Sequence, residues 1–161
     1  MRRSWQRSLI VLLGTSCLIG LAACSSNDDE GEAAASSAAT CDEISPAAMG
    51  GVEATEKDFA IALSPSEAPA GDVTFDIKNE GPQTHEFVVF KTNLDPADLP
   101  TNDDGTVDEE GAGVKHIDEV EDIATCTSES LSVSLAAGNY VIICNLPDHY
   151  ASGMHTAFTV T

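Results

Sequence analysis

Basic residues are scarce. The 161-residue chain carries 7 Lys plus Arg against 27 Asp plus Glu, a formal charge of −20, and no arginine follows Arg7. Binding to a phosphate backbone requires clustered cations, so a nucleic-acid partner is excluded. Aromatic residues are also few, at 5% of the chain, which leaves Val, Ile, Leu, Ala and the few Phe to build a core. Hydrophobic residues at 42% are enough for one domain of modest size and too many for a fully disordered chain. Helical periodicity is weak throughout. No Ser–His–Asp order, phosphate-binding glycine loop or H-E-x-x-H motif stands out.

The chain opens with Arg2, Arg3 and Arg7, followed by an apolar run over 9–23 that is short for a membrane span. The run ends in Leu21-Ala22-Ala23-Cys24, which resembles the lipobox of bacterial lipoproteins. That resemblance implies cleavage before Cys24 and lipidation of its side chain; an uncleaved anchor or an ordinary secretory signal is the alternative. In each case the remainder is exported. Removal of residues 1–23 takes away all three arginines and no acid. The resulting surface repels anionic membranes and favours basic partners, although solubility or a salty medium would also account for it. Residues 24–51 are small, acidic and almost devoid of large apolar side chains, and are expected to form a flexible, lipid-anchored tether.

From residue 52 the pattern becomes period two. Phe59, Ile61 and Leu63 alternate, as do Val73, Phe75 and Ile77, and Leu131, Val133 and Leu135. Solid apolar runs occur over 87–90 and 140–144. Turn signals such as Ser64-Pro65, Glu80-Gly81-Pro82 and Ala137-Gly138-Asn139 separate the segments. Short strands between such turns predict an all-β sandwich of seven to eight strands over residues 52–161. The acidic stretch over 94–120 is expected to hold at most a turn or two of helix.

The sharpest chemical signal is Cys144-x4-His149-x4-Met154, running from the end of an apolar strand through a Pro- and Gly-containing loop. A further histidine, His85, opens the apolar strand over 85–90 much earlier in the chain. One thiolate, two imidazoles and one thioether make the donor set of a blue-copper site. Thiolate and thioether favour Cu(I), and imidazole serves both oxidation states. Zinc rarely selects methionine.

These segments, 79–90 and 138–160, resemble the cupredoxin family. The long Cys-to-His loop is closer to its auracyanin, rusticyanin and sulfocyanin branch than to plastocyanin. The resemblance implies a Greek-key β-sandwich, one type 1 copper ion held by His85, Cys144, His149 and axial Met154, and one-electron transfer without enzymatic turnover. Glu86 and Asn145 follow two of the ligands and are expected to meet, tying the ligand strands together. Electrons would leave through His149, within an apolar docking patch of Leu146, Pro147, Tyr150 and Ala151. Surrounding acids would steer a basic redox partner such as a cytochrome or terminal oxidase towards a monomeric carrier. A copper homeostasis or delivery protein is the alternative; its ligands would be more exposed and richer in Met. Multicopper enzymes need more than the four histidines present, and a binuclear centre needs a second Cys where Asp148 stands.

Three features remain. With Cys144 on copper, Cys41 and Cys126 are expected to pair in an oxidising compartment, with free thiols or intermolecular bonds as alternatives. Residues 101–110 share the middle of a calcium-loop pattern, but Pro100 and Gly111 fall where carboxylates belong, so a solvated acidic loop is expected. His116 and His155 read as surface residues, with His155 on the face opposite Met154.

Overall fold

Alternation decides which side chains enter the core. In the computed structural model, which describes Cys41 and residues 51–161, the inward positions of the alternating segments are those the period-two pattern selects. The strands are β1 (Val52–Lys57), β2 (Ala60–Ser64), β3 (Glu67–Ala68), β4 (Gly71–Asn79), β5 (His85–Thr92), β6 (Val114–Ile123), β7 (Ser128–Leu135), β8 (Gly138–Ile143) and β9 (His155–Val160). They form a four-stranded sheet in the order β2-β1-β4-β7 and a five-stranded sheet in the order β3-β9-β8-β5-β6. The described residues contain no α-helix, and none that could cross a membrane. The lipobox and nearly all of the tether lie outside the described residues.

Val73, Phe75 and Ile77 of β4 and Leu131, Val133 and Leu135 of β7 face Phe87, Val89, Ile142 and Phe158 across the sandwich. Phe75 sits 5.2 Å from the rings of both Phe87 and Phe158 and joins the two sheets. The runs over 87–90 and 140–143 are apolar on both faces because the five-stranded sheet is covered on both. Its outer face carries a second cluster: Val88, Phe90, Val141, Ile143 and Tyr150, packed against Leu99 and Val107 of the segment that links β5 to β6.

One expectation changes, and one strand is not foreshadowed by the pattern. The strand containing Ile61 and Leu63 begins after Phe59, which lies in the β1–β2 turn and is 36% exposed. The acidic stretch contains no helix; residues from Val114 onward form β6, the edge strand of its sheet. An edge position explains its many charges, since they blunt pairing with another chain. Cys41 and Cys126 form a disulfide. The Cys126 amide donates to the Asn79 carbonyl at 2.9 Å, so the bond anchors residue 41 beside the end of β4.

Candidate metal centre

Two strands and one loop deliver the donors. β5 starts at His85, β8 ends just before Cys144, and the loop between β8 and β9 supplies His149 and Met154. The loop closes on itself. The Cys144 amide donates to the Met154 carbonyl at 3.0 Å, and the Met154 amide to the His149 carbonyl at 3.1 Å. Asp148 takes a left-handed conformation at φ 68°, which a short polar side chain tolerates, and this turns His149 back towards the strand ends.

His85, Cys144 and Met154 are fully buried, and His149 keeps only 7% exposure. The ligating atoms of His85, Cys144 and His149 all lie within 4.8 Å of one another. Cys144 Sγ is 3.2 Å from His149 Nδ1 and 4.0 Å from His85 Nδ1, and the two Nδ1 atoms are 3.3 Å apart. Burial pushes the Cys144 thiol up to about 11, against the opposing effect of backbone amides at Leu146 and Glu86. Burial also lowers the affinity of His85 for a proton; Asp58 opposes this and His149 adds to it. Two buried imidazole nitrogens facing a sulfur at these distances would compete for protons in the absence of a cation. A soft metal ion replaces those protons with bonds to all three, so the residues fit copper.

The orientation of His85 comes from residues the sequence did not single out. Its Nε2 lies 3.1 Å from Asp58 Oδ1, at the β1–β2 turn, at hydrogen-bonding distance though poorly aligned. Gln83 Nε2 donates to the other Asp58 oxygen. Asn79 fixes the intervening turn: its Nδ2 donates to the carbonyls of Gln83 and Ile123, and its Oδ1 accepts from the Gly81 amide. An Asn just before Glu-Gly-Pro is a turn signal that could have been read. Asp58 carries no such local signal.

The expected contact between Glu86 and Asn145 does not form. Asn145 Oδ1 accepts from the Val107 amide at 2.6 Å, and its Nδ2 donates to the Val107 carbonyl and to Glu109 Oε1. Asn145 therefore ties the copper strand to the covering segment. Glu86 acts through its backbone, whose amide donates to Cys144 Sγ at 3.3 Å. The Glu86 carboxyl is raised by burial and by the charges of Glu121, Glu119, Glu109 and Asp122.

Tyr150 also departs from expectation. It is buried, donating its hydroxyl to the Pro96 carbonyl and accepting from the Leu99 amide, so it belongs to the outer-face core and not to a docking patch. Phe59 takes the place at the surface, its ring 5.0 Å from that of His149, edge to face. His155 stands on the face opposite Met154, against Tyr150 at 5.2 Å. His116 is half-buried beside Phe90. In the calcium-like stretch, Asp104 Oδ1 accepts from the amide and hydroxyl of Thr106 and so closes its own loop.

The two-sheet sandwich and its His2CysMet donor set define a cupredoxin, a blue copper protein that carries electrons and is not an enzyme. Residues 66–161 match the sulfocyanin (SoxE) domain. The chain belongs to the sulfocyanin family. Its fold is similar to that of dithionite-reduced auracyanin from the photosynthetic bacterium Roseiflexus castenholzii, at 24% identity over 68% of this chain and 94% of that one, with a TM-score of 0.50. Auracyanin A of Chloroflexus aurantiacus aligns at 22% identity over 70% of this chain and 98% of that one, with a TM-score of 0.49. Reduced rusticyanin aligns at 16% identity over 71% of this chain and 82% of that one, with a TM-score of 0.48. Among curated proteins, none matches the chain in sequence.

Proposed function

We propose that this protein is an exported, lipid-anchored carrier of single electrons, held to a membrane through Cys24 and the tether over 24–51. Copper supplies the one-electron couple. The chain holds the donors rigid and dry, so little rearrangement accompanies a change of charge.

The observation that carries this reading is the sealing of the site. His85, Cys144 and Met154 are buried, and the remaining exposure belongs to His149. A delivery protein needs ligands that a second protein can reach; a carrier needs only an edge through which an electron can pass. Here that edge is the His149 ring under Phe59. Pro147, Ala151 and Gly153 are exposed around it, and Gly153 lies close to the Phe59 carbonyl. The acidic loop bearing Asp103 and Asp104 approaches the same surface, since Gly105 lies beside Ala151 and Asp148. An apolar centre with an acidic rim suits brief encounters with a basic redox protein, such as a cytochrome or a terminal oxidase, at a monomeric carrier.

Stopped-flow mixing of the copper-loaded protein with a basic cytochrome tests the reading. Fast, reversible electron exchange that slows as salt is added, with full retention of copper, is the expected result. Loss of Cu(I) to a chelator on the timescale of reduction would instead establish delivery. Replacement of Cys24 by Ser should release the protein from the membrane fraction; continued membrane association would remove the lipid anchor from the account.

A further inference from the structure

A second group of metal-ligating side chains lies away from the copper ligands, on the outer face of the five-stranded sheet. It consists of Glu109, His116 and Glu119, whose ligating atoms all fall within 4.8 Å of one another. In an unbroken strand, His116 and Glu119 would point to opposite faces, because they are an odd number of residues apart. The β5–β6 ladder contains an irregularity that alters this. His116 pairs with Phe90, Asp118 with Val89 and Glu119 with Val88, so Ile117 is the extra residue of a bulge. Phe90 and Val88 share the outer face, and His116 and Glu119 opposite them therefore share it too. The packing agrees: Ile117 and Val120 pack against the inner core, whereas Val114 packs against the outer cluster.

Glu109 and His116 are held in place without being used up. Glu109 reaches over from the covering segment, and Asn145 Nδ2 fixes its Oε1 at 3.0 Å, leaving Oε2 available. The His116 and Phe90 rings stand edge to face, their centroids 5.7 Å apart. Its Nε2 is shielded from solvent and has no hydrogen-bond partner, although Glu119 Oε2 lies 3.5 Å away, too far for a good one. Among the described residues, no lysine lies within salt-bridge distance of Glu109 or Glu119. An imidazole nitrogen with no hydrogen-bond partner, beside two carboxylates that no lysine neutralises, is a place where a cation can bind.

The geometry points to a second metal site, formed by Glu109, His116 and Glu119, that takes one divalent ion of the zinc class. One imidazole and two carboxylates match such an ion, and the partly exposed position leaves room for water to complete its shell. Bound there, the ion clips the covering segment to the edge strand β6. The site uses no copper ligand, and its existence does not depend on the electron-transfer reading.

Calorimetric titration of Zn(II) into the copper-loaded protein at physiological salt tests the site. The expected result is one equivalent of zinc bound with the blue absorption intact. His116→Gln, which leaves every carboxylate in place, should weaken binding about tenfold or more. Asp103→Asn with Asp104→Asn removes two carboxylates elsewhere and should bind zinc as the unaltered protein does. The blue spectrum of each variant reports that it is folded. The proposal is overturned by no zinc uptake, by uptake that bleaches the blue band, by unchanged affinity in His116→Gln, or by equal weakening in the Asp103/Asp104 variant.

Discussion

The backbone amide of Glu86 donates to the sulfur of Cys144 at 3.3 Å, joining the start of β5 to the end of β8. The residue beside one copper ligand thus holds another, and the backbone amide of Leu146 also favours the thiolate. Both donors stabilise negative charge on sulfur. The Glu86 side chain does the opposite, because its carboxylate adds negative charge close to the same atom. Replacing Glu86 with Gln keeps the amide and removes the charge. The reduction potential should rise by on the order of tens of millivolts on the alkaline side of the Glu86 titration, and by less on the acid side where the native carboxyl is protonated. Voltammetry across pH checks this; a constant offset at every pH would show that the charge is not responsible.

Met154 is buried and its backbone closes the ligand loop, so its thioether can be altered while the loop bonds remain. Leu has similar bulk and no sulfur. Met154→Leu should keep the blue colour and raise the potential by on the order of 0.1 V: although a thioether suits Cu(I), that ion is already satisfied by the three strong donors, whereas Cu(II) gains more from a fourth. Cys144→Ser should lose the intense thiolate-to-copper absorption altogether. Retention of that band by the Cys144 variant would assign the colour to another site.

Gly81 has no room for a side chain. A Cβ there would stand 2.7 Å from Asp58 Oδ1, 2.8 Å from His85 Nε2 and 3.3 Å from Asn79 Oδ1. All three belong to the apparatus that orients His85. Gly81→Ala should therefore cost about 1–3 kcal/mol of stability and weaken copper binding together. Denaturant unfolding with and without copper measures both, and a variant with native copper affinity would show that the Asp58–His85 approach does not position the ligand.

The ligands were legible because they combine a tight local spacing with an apolar strand on either side. Cys144, His149 and Met154 share one loop, and His85 marks a strand start. The sandwich followed from alternation at Val73, Phe75, Ile77 and their counterparts. β6 was not legible for a physical reason: its bulge at Ile117 breaks the period, and its edge position allows charges where an inner strand would bury apolar groups. Nothing local marks Asp58 and Phe59 as site residues, because they reach the site from a hairpin turn remote in sequence. Spacing alone places Phe59 in a strand, whereas it lies in the turn before β2. Tyr150 read as surface because nothing local shows that its hydroxyl would be claimed by Pro96 and Leu99.

Alternation also carries a carboxyl into the core. Val52, Ala54 and Glu56 share the inner face of β1, and Glu56 is fully buried with neither oxygen hydrogen-bonded. Burial, with a smaller contribution from Glu86, pushes its carboxyl up to about 8. In the unfolded chain the same group titrates near 4.5. Between these values the folded state holds a proton that the unfolded state has released. The free energy of unfolding should therefore fall as pH rises from about 5 to 8, by about 1.4 kcal/mol per pH unit from this group. Below that window the group has no effect on the slope, and above it the loss is complete. Urea unfolding of the metal-free protein is the suitable measurement, because a bound cation would draw the nearby carboxyl down. Glu56→Gln should flatten the profile over this window, whatever its effect on absolute stability. An unchanged slope in the variant would mean that Glu56 is ionised or hydrated in the folded protein.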